Sequence, residues 1–96
     1  MLKSYVVAYD ITDPKRWRKV YKKMRGFGDH VQYSVFVCEL TEMDLVAMQK
    51  DLDEIIKHDE DQVLIVDLGP AKGRGSQCFK TLGKAFTYSE RHAVVV

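Results

Sequence analysis

Apolar residues recur along the chain at spacings that separate strands from helices. Leu2 to Ile11 reads as a strand, with Val7, Tyr9 and Ile11 on one side and Val6, Ala8 and Asp10 on the other. Both sides are largely apolar, which predicts a strand covered on both faces. Asp13-Pro14 then opens a helix: the carboxylate can cap free N–H groups, and proline suits the first helical position. Trp17, Val20, Tyr21 and Met24 fall at i, i+3, i+4 and i+7, one apolar stripe. Gly26 and Gly28 are expected to end this helix by adopting the left-handed geometry of a C-cap.

His30 to Leu40 is rich in β-branched and aromatic residues but long for one strand, so a break near Tyr33-Ser34 predicts two short antiparallel strands. Thr41-x-x-Asp44 resembles a capping box, and Leu45, Met48, Leu52, Ile55 and Ile56 supply the buried stripe of a second helix. Gln62 to Leu68 reads as another strand, apolar on both faces. Gly69 to Ser76 is a loop that fits neither a dinucleotide nor a Walker phosphate fingerprint. Cys78 to Leu82 and Ala93 to Val96 are expected to add short strands.

The order β-α-β-β-α-β predicts an α+β domain of the ferredoxin-like, split βαβ kind, with extra C-terminal strands. One domain spans residues 1–96. Both helices of such a fold cover one sheet face, yet the strands are apolar on both. A second copy packed about a two-fold axis is the expected cover, so a homodimer is predicted, with residues 77–96 available to cross to the partner's sheet edge.

Charge changes this picture more than composition does. The net charge is only +1, but Lys15, Arg16, Arg18, Lys19, Lys22, Lys23 and Arg25 follow one another with no acid between them. From Glu39 to Asp61 nine acids face only Lys50 and Lys57. The first helix therefore offers a local basic face to a polyanion, or to an acidic protein surface. No apolar stretch is long enough to span a membrane, no secretory leader is visible, and Cys38 and Cys78 lack metal-type spacing. A cytoplasmic protein with two reduced core thiols is expected.

Tyr9-Asp10-Ile11-Thr12-Asp13, the basic helix after it, and Val31-Gln32-Tyr33-Ser34-Val35-Phe36 together resemble the small CRISPR-associated adaptation protein family. The resemblance runs from Leu2 to about Leu82. It implies a dimeric partner of the CRISPR integrase, often described as a metal-dependent endoribonuclease, acting on duplex DNA or RNA. It further implies that Asp10 of each subunit faces its mate across the dimer with Mg2+ between them. Tyr9 and Phe36 match positions linked to activity or site shape. Many relatives carry arginine where this chain has Trp17, and a basic residue where it has His30.

Read from chemistry alone, Asp10 could equally end a strand and accept hydrogen bonds from the backbone or Thr12. Magnesium keeps several waters and needs only one or two carboxylates, so two Asp10 side chains on a dyad would make a site. They would repel one another without a cation between them. Asp13 is explained by capping, and His58 reads as a surface residue in the last turn of the second helix. His30, His58 and His92 have no metal-ligand spacing. Arg16, Arg18, Lys19, Lys22 and His30 are the candidate nucleic-acid contacts, since an acid-free helix face suits phosphates. A solvated helix and a solvated strand-end histidine are the plainer readings of the same residues. Two functions compete: a magnesium-dependent phosphodiesterase, and a non-catalytic DNA-binding scaffold for the integrase. A toxin-type endoribonuclease of the virulence-associated D kind shares the fold, and a small-molecule sensor is disfavoured by the lack of a ligand loop.

Overall fold

A computed structural model describes residues 1–72 and 78–84 of the chain. The elements are β1 (Lys3–Asp10), α1 (Pro14–Arg25), β2 (Gly28–Gln32), β3 (Val35–Leu40), α2 (Glu42–Ile55) and β4 (Gln62–Pro70). The four strands form one sheet in the order β2-β3-β1-β4, every neighbour antiparallel. This is the ferredoxin-like arrangement: each helix carries the chain over the strand that lies between the two it connects.

Both helices are started by the residues that predicted them. Asp13 accepts a 3.0 Å hydrogen bond from the Arg16 N–H, with Pro14 at the first helical position. The Thr41 hydroxyl accepts from the Asp44 N–H, and the Asp44 carboxylate accepts in return from the Thr41 N–H. The apolar stripes face the sheet: Val20 and Met24 from α1, Met48 and Leu52 from α2, packed on Tyr5, Val7, Tyr9, Phe36, Cys38 and Leu40. Lys23 and Asp51 add a surface ion pair between the helices at 3.8 Å.

The end of α1 departs from expectation. Gly26 has φ −80°, right-handed, and the last turn tightens: the Gly26 N–H donates to the Lys23 carbonyl at 3.0 Å and the Phe27 N–H to the Met24 carbonyl at 2.9 Å. Gly28 is required for another reason. A Cβ there would fall against the Val37 carbonyl oxygen and 2.5 Å from Cys38 Sγ, so the start of β2 can approach β3 only without a side chain. The hairpin break is at Tyr33-Ser34 as predicted, with Tyr33 at φ +35°. β4 runs past Leu68 through a bulge, where Gly69 takes φ +92°, and pairs on to Pro70.

Residues 78–84 contain no strand, although Cys78 to Leu82 was expected to form one. A strand needs an edge to pair with, and no described strand of this chain pairs there. Cys38 is buried as expected, whereas Cys78 is exposed and is not a core thiol. The terminal strand expected at Ala93 to Val96 lies outside the described residues. His58 falls beyond the end of α2, where its Nε2 lies 3.2 Å from both the backbone oxygen and Oδ1 of Asp53.

Candidate active site

Asp10 ends β1 and is exposed. Alternation along the strand puts it with Val6 and Ala8 on the face the helices leave open. Opposite Val6 and Ala8 on β4 lie Val66 and Leu64, which are 41 % and 54 % exposed. The strip is uneven, because Val37, which pairs Val6 on the β3 side, is fully buried. Among the described residues no hydrogen bond or ion pair engages the Asp10 carboxylate. The alternative role for Asp10, accepting from Thr12, therefore has no contact behind it.

Thr12 is engaged elsewhere. Its N–H donates to Asp61 Oδ1 at 3.1 Å, and its hydroxyl lies within hydrogen-bond range of Glu60 and Asp61. Arg16 reaches the same carboxylate, Nε donating to Asp61 Oδ2 at 2.7 Å, and Nη2 pairs Glu60 at 3.2 Å. The Lys57 N–H donates to Asp61 Oδ2 at 2.8 Å. The Asp61 side chain is 0 % exposed, so five donors converge on a carboxylate sealed from water. The Arg16 guanidinium, with the Lys57 and Thr12 amides, holds the Asp61 carboxyl well below the usual carboxylate range. Glu60 is lowered too, first by Lys57. This clamp ties the turn after Asp10 to α1 and to the loop before β4. Its sequence signal was weak, since Asp61 is one of nine acids in its stretch.

The other candidate residues separate into groups. Tyr9 and Phe36 lie on the helix face of the sheet, buried, with ring centroids 6.2 Å apart. Neither shares the face of Asp10. The Tyr9 hydroxyl is buried without a hydrogen-bond partner among the described residues, and burial pushes its proton affinity up. Arg16 belongs to the clamp: its guanidinium is bound to Asp61 and paired with Glu60, so a phosphate would have to share it with those carboxylates. Arg18, Lys19 and Lys22 are exposed, and among the described residues none pairs with a carboxylate. With Lys15 and Tyr21 they line a shallow surface groove along α1. His30 is exposed at the hairpin, its Nε2 donating to the Tyr33 carbonyl at 2.8 Å.

No group of three or more His, Cys, Asp or Glu side chains gathers to hold a metal among the described residues. Among the described residues, the donor that one chain offers at the end of β1 is the single open carboxylate of Asp10. That fits a strongly hydrated magnesium ion if a second chain supplies its own Asp10, and does not fit a closed zinc-type cage.

Comparison with known proteins places this geometry. The family model for CRISPR associated protein Cas2 matches residues 3–74. The chain is 48 % identical to CRISPR-associated endoribonuclease Cas2 1 of Rhodospirillum rubrum, over 97 % of its own length and 90 % of the relative's. It is 44 % identical to CRISPR-associated endoribonuclease Cas2 of Geobacter sulfurreducens, over 96 % of each. Among solved structures, Streptococcus pyogenes Cas2 superposes with a TM-score of 0.73 at 34 % identity, covering 83 % of this chain and 99 % of that one. The family model, the identities and the shared fold converge, and the chain belongs to the CRISPR-associated Cas2 family.

Proposed function

We propose that this protein is a CRISPR adaptation protein that works as a homodimer, binds duplex DNA or RNA, and serves the integrase as a scaffold. In the same reading it is a metal-dependent endoribonuclease or DNase at the paired Asp10 carboxylates. The observation that carries the catalytic part is the Asp10 carboxylate itself, exposed and, among the described residues, unengaged at the end of an apolar strip on the sheet face opposite the helices. Its relatives from Rhodospirillum rubrum and Geobacter sulfurreducens bear the name endoribonuclease, which supports this reading.

Asp10 from each of two chains would hold Mg2+ while leaving most of its coordination to water. Magnesium in such a place supplies positive charge for a phosphate and acidifies water. The residues of this chain do the rest. Asp10 would position the ion, and the Asp61 clamp holds the turn that follows Asp10. Tyr9 and Phe36 set the backbone of β1 and β3 from the opposite face, as positioning residues rather than reacting groups. The exposed cations of α1 neutralise phosphates without reading sequence. Those cations also favour the scaffold role, which needs binding but no Asp10.

The two roles separate on one variant. Asp10→Ala is expected to reduce magnesium-dependent cleavage of RNA or DNA to background while duplex affinity and integrase capture persist. Cleavage that survives unchanged in Asp10→Ala would overturn the assignment of Asp10. Loss of duplex binding after charge reversal at Arg18, Lys19 and Lys22 is the matching expectation for the helix face.

A further inference from the structure

Three aromatic rings form a row from the half-buried edge of the α1 apolar stripe to the tip of the β2–β3 hairpin. Trp17 is the middle member: it stacks on Tyr21, centroids 5.4 Å apart with planes 10° apart, and meets Tyr33 at 5.9 Å. Trp17 and Tyr21 are half-buried, but Tyr33 is 79 % exposed. The Arg25 guanidinium sits 6.0 Å from the Tyr21 centroid, and the groove beside Tyr21 is lined by Arg18 and Lys22. Aromatic rings and cations that pair with no carboxylate among the described residues lie side by side on this surface.

Tyr33 is not explained by packing. Its φ of +35° is a conformation that tyrosine rarely adopts and that glycine or asparagine takes easily. The turn is nevertheless held from three directions. His30 Nε2 donates to the Tyr33 carbonyl at 2.8 Å, Trp17 Nε1 donates to Ser34 Oγ at 2.8 Å, and the Tyr9 N–H donates to the Ser34 carbonyl at 3.1 Å. Backbone strain persists where surrounding contacts over-determine it, and it concentrates at binding sites. Here the strain presents a large flat ring to solvent.

We infer that Tyr33, backed by Trp17, is a stacking platform for an unpaired nucleobase, and that the α1 cations take the phosphates of the same strand. The inference rests on the nucleic-acid reading above and adds a site to it. Any base offers a π face, so such a platform tolerates sequence. Bases inside a duplex are already stacked on their neighbours. The platform therefore engages an unpaired tail or gap, while the duplex is held by charge alone.

Trp17 is the only tryptophan of the chain, so its fluorescence reports directly on the row. The full-length protein is titrated with a short single strand and, separately, with a long blunt-ended duplex. The single strand is expected to quench Trp17. Tyr33→Gly is expected to weaken single-strand binding by about 5- to 100-fold and leave duplex binding unchanged, whereas Tyr33→Phe retains both. Tyr33→Gly removes backbone strain instead of adding it, and an unfolding midpoint no lower than wild type is expected to accompany the loss. Wild-type single-strand affinity in Tyr33→Gly overturns the platform, as does an equal loss on both ligands. A wild type that binds the duplex but not the single strand overturns the platform alone. A wild type that binds neither overturns the nucleic-acid reading with it.

Discussion

Gly28 shows how one missing side chain sets the approach of two strands. It follows the helix it was expected to terminate, yet its place is dictated by β3, where the Val37 carbonyl and Cys38 Sγ leave no volume for a Cβ. Neither neighbour can yield cheaply: one is backbone and the other belongs to a fully buried residue. Gly28→Ala is expected to destabilise the protein by about 1–3 kcal/mol, read as a lower urea midpoint, through overpacking. A wild-type midpoint would show that β2 can move away from β3 without loss. The same residue marks what the sequence could convey. A glycine announces a special backbone position, but not whether the cause is a positive φ or a close neighbour. Asp13 and Thr41 were legible because their partners, Arg16 and Asp44, lie three residues on. Asp10 was legible as a candidate because capping had already accounted for Asp13.

At the scale of elements, α1 divides its cations between two tasks. Periodicity identified the buried stripe and the basic remainder, but nothing local distinguishes Arg16 from Arg18. The distinction is made by Asp61, forty-five residues away in sequence. The strand expected at Cys78 to Leu82 fails for a related reason, since its apolar residues had no pairing edge to declare in sequence. The clamp has a pH signature. Asp61 has a lowered proton affinity in the fold, so the stability it contributes is complete above the unfolded-state carboxylate value of about 3.9 and is lost as pH falls below it. Glu60 and Asp67 are lowered as well, the latter first by the Gly69 N–H, and they act in the same direction. Asp61→Asn is expected to lower stability at neutral pH, with its deficit shrinking as pH falls toward 3 and the wild type loses its advantage (about one unit below the unfolded value). Urea titrations at both ends of that range measure the gap. A deficit that stays constant with pH would mean that the charge of Asp61 contributes nothing and only its shape matters.

Among the described residues no helix covers the second sheet face, and a dimer is expected to form there. The sequence predicted apolar residues on both sides of β1 and β4. The structure narrows the open part to Val6, Ala8, Leu64 and Val66, ending at Asp10. If two chains meet there, two separate consequences follow. Glutamates at Leu64 and Val66 would bury charge in an apolar contact, so the double variant is expected to sediment as a monomer and to lose cleavage with its partner. Asp10→Ala, in contrast, is expected to remain dimeric while inactive. Mixing then tests whether the site is shared. After subunit exchange with excess Asp10→Ala, wild-type chains are found mainly in mixed dimers that carry one carboxylate. Cleavage should fall with the square of the wild-type fraction if both carboxylates are needed, and in simple proportion if each chain acts alone. A linear fall with intact dimers would keep the interface and remove the shared metal, which separates the architecture of this protein from its chemistry.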